Sequence, residues 1–314
     1  MQFSERQDAY KGTSLGMRIW KNRMSYMLII PAFVMTLVFC YWPMYGIILA
    51  FKDFRPKNGI VGSAWANPWY KYFHMMFRDP DFFIAVRNTV SISFIKLIIS
   101  TSSCIILALL LNEVRHKTFK RVVQTMSYLP HFLSWIIMGS ILFTMFSSSF
   151  GAVTVALEKN FGVVYAPLSD PAQYRSILYI SSVWKEVGFG SIIYLAAIAG
   201  VSPELYEAAI IDGANRFQRL WHITLTSIRS TIVLLLILAV GGLMNANFDQ
   251  IFNTYSPRVF PTGDVIDTWI YRHGIQQQAF SYSTAVGLFK QIINIILLLV
   301  VNQVAKFFGE EGVL

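Results

Sequence analysis

The chain has 314 residues, of which 55% are hydrophobic and only 14% charged, with a formal net charge of +9. Soluble domains carry about 25% charged residues, so the composition excludes an ordinary soluble domain. The charges cluster between apolar runs, as in polytopic membrane proteins, and no basic stripe outside those edges suits nucleic acid.

A helix crosses roughly 30 Å of hydrocarbon with about 20 apolar residues. Six stretches meet that length: 27–50, 89–112, 122–147, 176–200, 230–252 and 283–307. They predict an all-α membrane protein with a head over 1–26, a transmembrane domain over 27–307 and a tail over 308–314. The first run is too long for a signal-peptide core and lacks a small-residue cleavage site, so it is expected to stay as an anchor. Pro31 and Pro43 in the first span and Pro130 in the third are expected as kinks. Cys40 and Cys104 lie inside apolar runs and read as buried reduced thiols.

Six spans put both termini on one side. Arg115, Lys117, Lys120 and Arg121 crowd the turn after the second span, and Lys11, Arg18, Lys21 and Arg23 lie in the head. Positive clusters stay inside, so both termini and residues 201–229 are expected in the cytoplasm, with 51–88, 148–175 and 253–282 outside. The 51–88 segment holds Trp65, Trp69, Tyr70, Tyr72, Phe73, Phe77, Phe82 and Phe83. Two readings fit it: an aromatic belt at the membrane interface, or a docking surface. Residues 253–282, with Arg258, Asp264, Asp267 and Arg272, are a second docking candidate.

Charged groups inside spans are costly and by default mark a pathway. Lys96 in the second span is expected to snorkel toward an edge. In the fourth span, Lys185 and Glu186 are neighbours pointing about 100° apart, so they serve different partners or line a wet cavity. Trp184 and Phe189 beside them suit stacking on sugar rings. In the fifth span, Asn245 and Asp249 are expected on one helical face, with Asn247 to one side; in the sixth, Lys290 and Asn294 are spaced alike. These polar groups fit either substrate contacts or hydrogen bonding between helices.

Between the fourth and fifth spans, Ser202 suits an N-cap, Pro203 the first helical position and Gly213 a stop. The helix of about 10 residues so defined is marginal alone and apolar on most sides. It has no Lys or Arg between 204 and 214 to face lipid headgroups, so a protein socket fits it better than a bilayer surface.

The stretch "EAAIIDGANRFQRLWHITL" (207–225) resembles the cytoplasmic EAA loop of permease subunits in binding-protein-dependent ABC importers. Glu207, Ala208, Ala209, Gly213, Ile223 and Leu225 fall in the family's register, and Thr226 stands where the family has proline. Asp212 and the preceding "VSPELY" resemble the carbohydrate-importing branch, as does "YKYFHMMFRDPDFFIAVRNTV" (70–90). "SYLPHFLSW" (127–135) and "NFDQIFNTYSPRVFPTGDVIDTWIYRHGI" (247–275) resemble a narrower group that imports pectin- and alginate-type oligosaccharides.

The resemblance implies a type I ABC importer permease fold, with 201–229 as the coupling loop. Its partners would be a second homologous permease, a dimer of ATPase subunits that holds ATP and Mg²⁺, and an extracytoplasmic binding protein. Glu207, Ala208, Ala209, Asp212 and Gly213 would couple to the ATPase. Trp184, Lys185, Glu186, Phe189, Asn245, Asn247, Asp249, Lys290 and Asn294 would lie on the substrate pathway, the lysines near an acidic cargo. No phosphate-binding loop, zinc-protease motif or serine-hydrolase elbow occurs, and the five histidines have no metal-ligand spacing. An ion-gradient transporter is the alternative; a membrane-embedded enzyme lacks any nucleophile-and-base arrangement.

Overall fold

The structure, a computed structural model, describes residues 15–307 and residue 309. The expectations for the first fourteen residues and for the end of the tail lie outside that range.

Helix α1 (Arg23–Thr36) continues through a π turn (Leu37–Tyr41) and a 3₁₀ stretch (Trp42–Phe51) as one 29-residue apolar rod. Pro43 has no N–H to donate, so the regular ladder cannot continue past it. A two-residue strand β1 (Lys52–Asp53) then pairs antiparallel with β2 (Ala64–Trp65), Lys52 opposite Trp65. Three long helices follow the remaining apolar runs: α2 (Pro80–Glu113), with α3 (Lys117–Tyr128), α4 (Trp135–Phe146) and α5 (Ala152–Phe161) leading to α6 (Pro171–Ala199). After α7 (Pro203–Ile211), a helical piece over Arg216–Ser227 leads to α8 (Arg229–Gly241). Short helices α9 (Phe248–Phe252) and α10 (Ile266–Tyr271) precede the last long helix, α11 (Phe280–Phe307).

Asp-Pro pairs start two of the long helices. Asp79 and Asp170 each accept a backbone N–H, from Asp81 and Ala172, at 2.9 Å, and each is followed by proline in the first turn. Arg175 donates to Asn88 Oδ1 at 2.8 Å near these starts. Further along, a Cβ on Gly190 would lie 2.7 Å from Cys104 Sγ. The helices α2 and α6 therefore run parallel, side by side. Tyr282 donates to Asp79 at 2.9 Å, which sets the start of α11 at the same end.

Among the described residues, four helices are long and apolar enough to cross a membrane, or six if two bent pairs each count as one span. These bends correct two expected spans. The third is not a kinked rod: it breaks at Leu133–Ser134, and its halves bend by 101°. Ser134 caps the second half, accepting from Ile137 N at 3.3 Å. The fifth ends at Gly241 instead of running to 252, and is bent by 58° near Ile228. The chain from Gly242 to Ala246 is not helical; Asn247, at φ 67°, then caps α9, accepting from Gln250 N at 3.2 Å. The segment 242–265 supplies Ala246, Ile251, Val259 and Val265 to a core shared with Ile92, Tyr174, Ile177 and Leu178. Both cysteines are free; Cys104 is buried, but Cys40 is exposed on the first span.

Candidate functional site: two broken spans and a surface helix

Backbone that leaves a helix at membrane depth must find its hydrogen bonds inside the protein. Here the straight helices supply them. The Lys185 ammonium on α6, 6% exposed, donates to the carbonyls of His131 (2.5 Å) and Leu133 (2.7 Å), and lies 5.6 Å from the Trp135 ring. Those carbonyls end a short helix whose last turn has no donors of its own and carries negative dipole charge. Lys96 on α2 does the same at the other break, donating to Ala246 O at 3.0 Å and to the Gln250 side chain. Gln250 passes the link on to Leu178 O (2.8 Å) and Ser181 Oγ (2.9 Å) of α6. On α11, Lys290 pairs with Asp267, and Asn294 accepts from Met244 N at 3.1 Å.

Beside the first break lies a half-exposed cluster. His131 Nδ1 meets Glu186 Oε2 at 2.9 Å, and with a carboxylate acceptor that nitrogen carries the proton. The His131 ring stacks on Phe189, centroids 4.0 Å apart and planes 2° apart. Trp184 and Phe189 are exposed. At the second break Asn245 and Asp249 are exposed and Asn247 half-buried.

At the far end of α6, Ser202 caps α7 by accepting from Glu204 N at 3.3 Å, with Pro203 first in the helix. Gly213, at φ 79°, takes the left-handed turn that ends it. A hydrogen bond of 3.0 Å between Tyr206 and Thr224 ties α7 to the next helical piece, whose start is held by a reciprocal Asn215–Gln218 cap. Leu205, Ile210, Phe217 and Trp221 are exposed, and Ile211 is 86% so. Glu207, Ala208 and Asp212 are exposed too, and Glu207 makes no ion pair among the described residues. An exposed apolar surface of this kind marks a site that meets another protein or a membrane.

The profile of the family described as "Binding-protein-dependent transport system inner membrane component" matches residues 101–310. The chain belongs to this family. Protein LplB of Bacillus subtilis is 44% identical to the permease over 97% of this chain and 95% of its own length. The polygalacturonan/rhamnogalacturonan transport system permease protein YteP of the same organism is 40% identical over 96% and 94%. Among solved structures, a chain of a bacterial alginate ABC transporter, in complex with alginate pentasaccharide-bound periplasmic protein, superposes with a TM-score of 0.87 at 34% identity. It covers 95% of this chain and 99% of its own.

The permease is thus a multi-pass, non-enzymatic membrane subunit of an ABC importer, which sets aside the gradient-driven and enzymatic alternatives. Several expected site residues sit elsewhere than the sequence suggested. Lys185, Lys290 and Asn294 are each 6% exposed and bond to the permease's own groups: two backbone carbonyls, Asp267 and the Met244 N–H. Lys96 does not snorkel but holds the second break. Asn245 and Asp249 share no helical face, because the helix between them is interrupted. Glu186 and Lys185 do serve different partners. Of the four charges proposed for docking in 253–282, Asp264 pairs with Arg272 at 2.5 Å and Asp267 with Lys290; Arg258 alone has no ion pair among the described residues. His131 and Gln250 escaped the sequence reading, since only their partners, more than fifty residues away, reveal their roles.

Proposed function

We propose that the permease forms half of the pathway of an oligosaccharide importer, paired with a second homologous permease and driven by an ATPase dimer that holds ATP and Mg²⁺. The observation that carries this reading is α7: a capped, exposed, apolar helix whose Glu207 has no ion pair among the described residues, shaped as a handle for another protein. On this reading α7 and both termini face the cytoplasm, and the cargo arrives at the opposite end on a binding protein. The half-exposed His131–Glu186–Phe189 group, with Trp184, Asn245, Asn247 and Asp249, would line the route. Stacked aromatic rings and carboxylate or amide groups are what sugar rings and hydroxyls need.

The cargo we propose is an acidic polysaccharide fragment. Its support is the polygalacturonan and rhamnogalacturonan named for one relative and the alginate bound by the structural neighbour. The test is uptake of trigalacturonate into proteoliposomes carrying the permease with its partner permease and ATPase. Uptake should need both ATP and the binding protein and should survive ionophores. Uptake that follows an ion gradient without ATP would overturn the reading.

A further inference from the structure

A second open site lies at the end of the bundle away from α7. The turn after α4, the segment before α6 and the segment after α9 meet there around a cleft of about 520 Å³, within the usual range of small-molecule sites, about 300–1,000 Å³. Both α6 and the loop before it place the cleft at the N-terminal end of a helix whose other end leads into α7, roughly 40 Å away at 1.5 Å per residue.

The lining is dense in hydroxyls. Ser148, Ser149, Ser169 and Ser256 line it, with Tyr255 on its wall and Arg258 at its edge. The serines are poorly used by the protein itself: the contacts of Ser169 with Ser148 and of Ser256 with Leu168 O are both long, at 3.4 Å. Arg258 is exposed and, as noted, free of any ion pair among the described residues. The membrane-depth cations Lys96, Lys185 and Lys290 already bond to the permease's own carbonyls, Gln250 and Asp267.

From the cleft an aromatic row leads toward the break at Asn247. Tyr255 and Phe252 are 5.9 Å apart, and Phe252 stacks on Phe248 at 5.1 Å and 18°. All three rings are half-buried, so each keeps part of its surface open. The close approach of Gly139 to Asn253, where a Cβ would meet the Asn253 carbonyl at 2.6 Å, fixes α4 against this row.

We infer that this cleft is an entry subsite for a uronate-bearing oligosaccharide: Arg258 takes the carboxylate, the serines take ring hydroxyls, and the Tyr255–Phe252–Phe248 row takes sugar faces on the way inward. The inference rests on the importer reading and gives its acidic cargo a specific cation. A planar guanidinium binds a carboxylate through two parallel hydrogen bonds, which an ammonium does not match.

The test uses the assembled complex in nanodiscs with Tyr255→Trp as a fluorescent reporter, titrated with trigalacturonate and with its fully methyl-esterified form. The ester keeps length and linkage but removes the charge. The acid should change the fluorescence at a concentration about tenfold lower than the ester. Arg258→Gln should abolish that preference, and Arg258→Lys should restore only part of it. No response to the acid, or a preference that survives Arg258→Gln, overturns the subsite. Should the tryptophan disturb the cleft, co-purification of the ATPase reports assembly, and the acid-to-ester ratio of uptake with native Tyr255 replaces the optical signal. ATP-driven uptake measured alongside separates the two readings: uptake without a reporter response defeats the subsite alone, whereas a response without ATP-driven uptake defeats the importer reading.

Discussion

The Lys185 ammonium donates to the Leu133 carbonyl at 2.7 Å, closing the vertex of a span bent by 101°. A charge inside a membrane helix here serves the backbone of its neighbour. The arrangement offsets two costs at once: a buried cation gains acceptors, and carbonyls without an intrahelical donor gain a partner.

Lys185→Met should therefore destabilise the permease by about 2–3 kcal/mol, the scale of charge-assisted hydrogen bonds lost with their acceptors left buried. The thermal midpoint of the purified complex measures this. Uptake of acidic and esterified oligosaccharides should fall together. A selective loss of the acid with unchanged stability would return Lys185 to the pathway.

Gly188 lies where α6 passes the end of α3. A Cβ there would come within 1.9 Å of the Ser127 carbonyl oxygen, a backbone atom that cannot swing away. Gly188→Ala should cost at least the 1–3 kcal/mol typical of overpacking. Gly287→Ala is the control, because its Cβ would meet only Ile270 at 3.9 Å, an ordinary contact. Equal thermal midpoints for the two variants would refute the crossing geometry.

How much of this was legible in the sequence follows from which forces are local. The six apolar runs and the limits of α7 were readable, since hydropathy, Ser202, Pro203 and Gly213 act within a few residues. The two breaks were not, because a hydropathy window averages across them and merges the strongly apolar residues of α4 and α8 with the more polar flanks at 117–128 and 245–253. Weaker local signals were present: Ser134 as a cap, the Gly241–Gly242 pair as a stop and Asn247 as a second cap. The destinations of Lys96, Lys185 and Lys290 were out of reach, since each depends on which helix lies opposite.

The β1–β2 hairpin, tied to the start of α11 by the bond from Ser281 to Lys52 O, should loosen in acid. Hydrogen bonds from Lys71, at 2.8 Å, and from Tyr72, at 2.7 Å, hold the Asp53 carboxyl below its usual range. A carboxylate with a lowered folded value contributes stability above its ordinary range, near pH 3.9, and loses it as pH falls through the folded value. Both ionic side chains are 38% exposed, so solvent limits the effect to about 0.5 kcal/mol. The Ala66 amide, which donates to Phe51 O at 2.9 Å, reports opening of the hairpin by hydrogen exchange corrected for intrinsic rate. Its protection should begin to fall near about pH 5 and keep falling to below about pH 3 in the wild type, and the fall should vanish in Asp53→Asn. An identical fall in the variant would assign the loss to another group.

Glu207 tests the handle itself. Its side chain is exposed on α7 and makes no ion pair among the described residues, so Glu207→Ala should leave the fold's thermal midpoint unchanged. Its cost should appear only in the complex. If α7 seats in a socket on the ATPase, the carboxylate becomes buried beside a basic group, and removing it strands that charge at about 3–5 kcal/mol. Taking the low end, the ATPase should bind more than a hundredfold more weakly, and hydrolysis stimulated by loaded binding protein should drop while the binding protein still docks. Gly213→Ala should mimic the coupling defect by a different route, since φ 79° strains any side chain there and shifts the end of the helix. Full stimulation in Glu207→Ala vesicles would mean that α7 meets its partner without this carboxylate, and the apolar residues Leu205, Ile210 and Ile211 would then have to account for the grip.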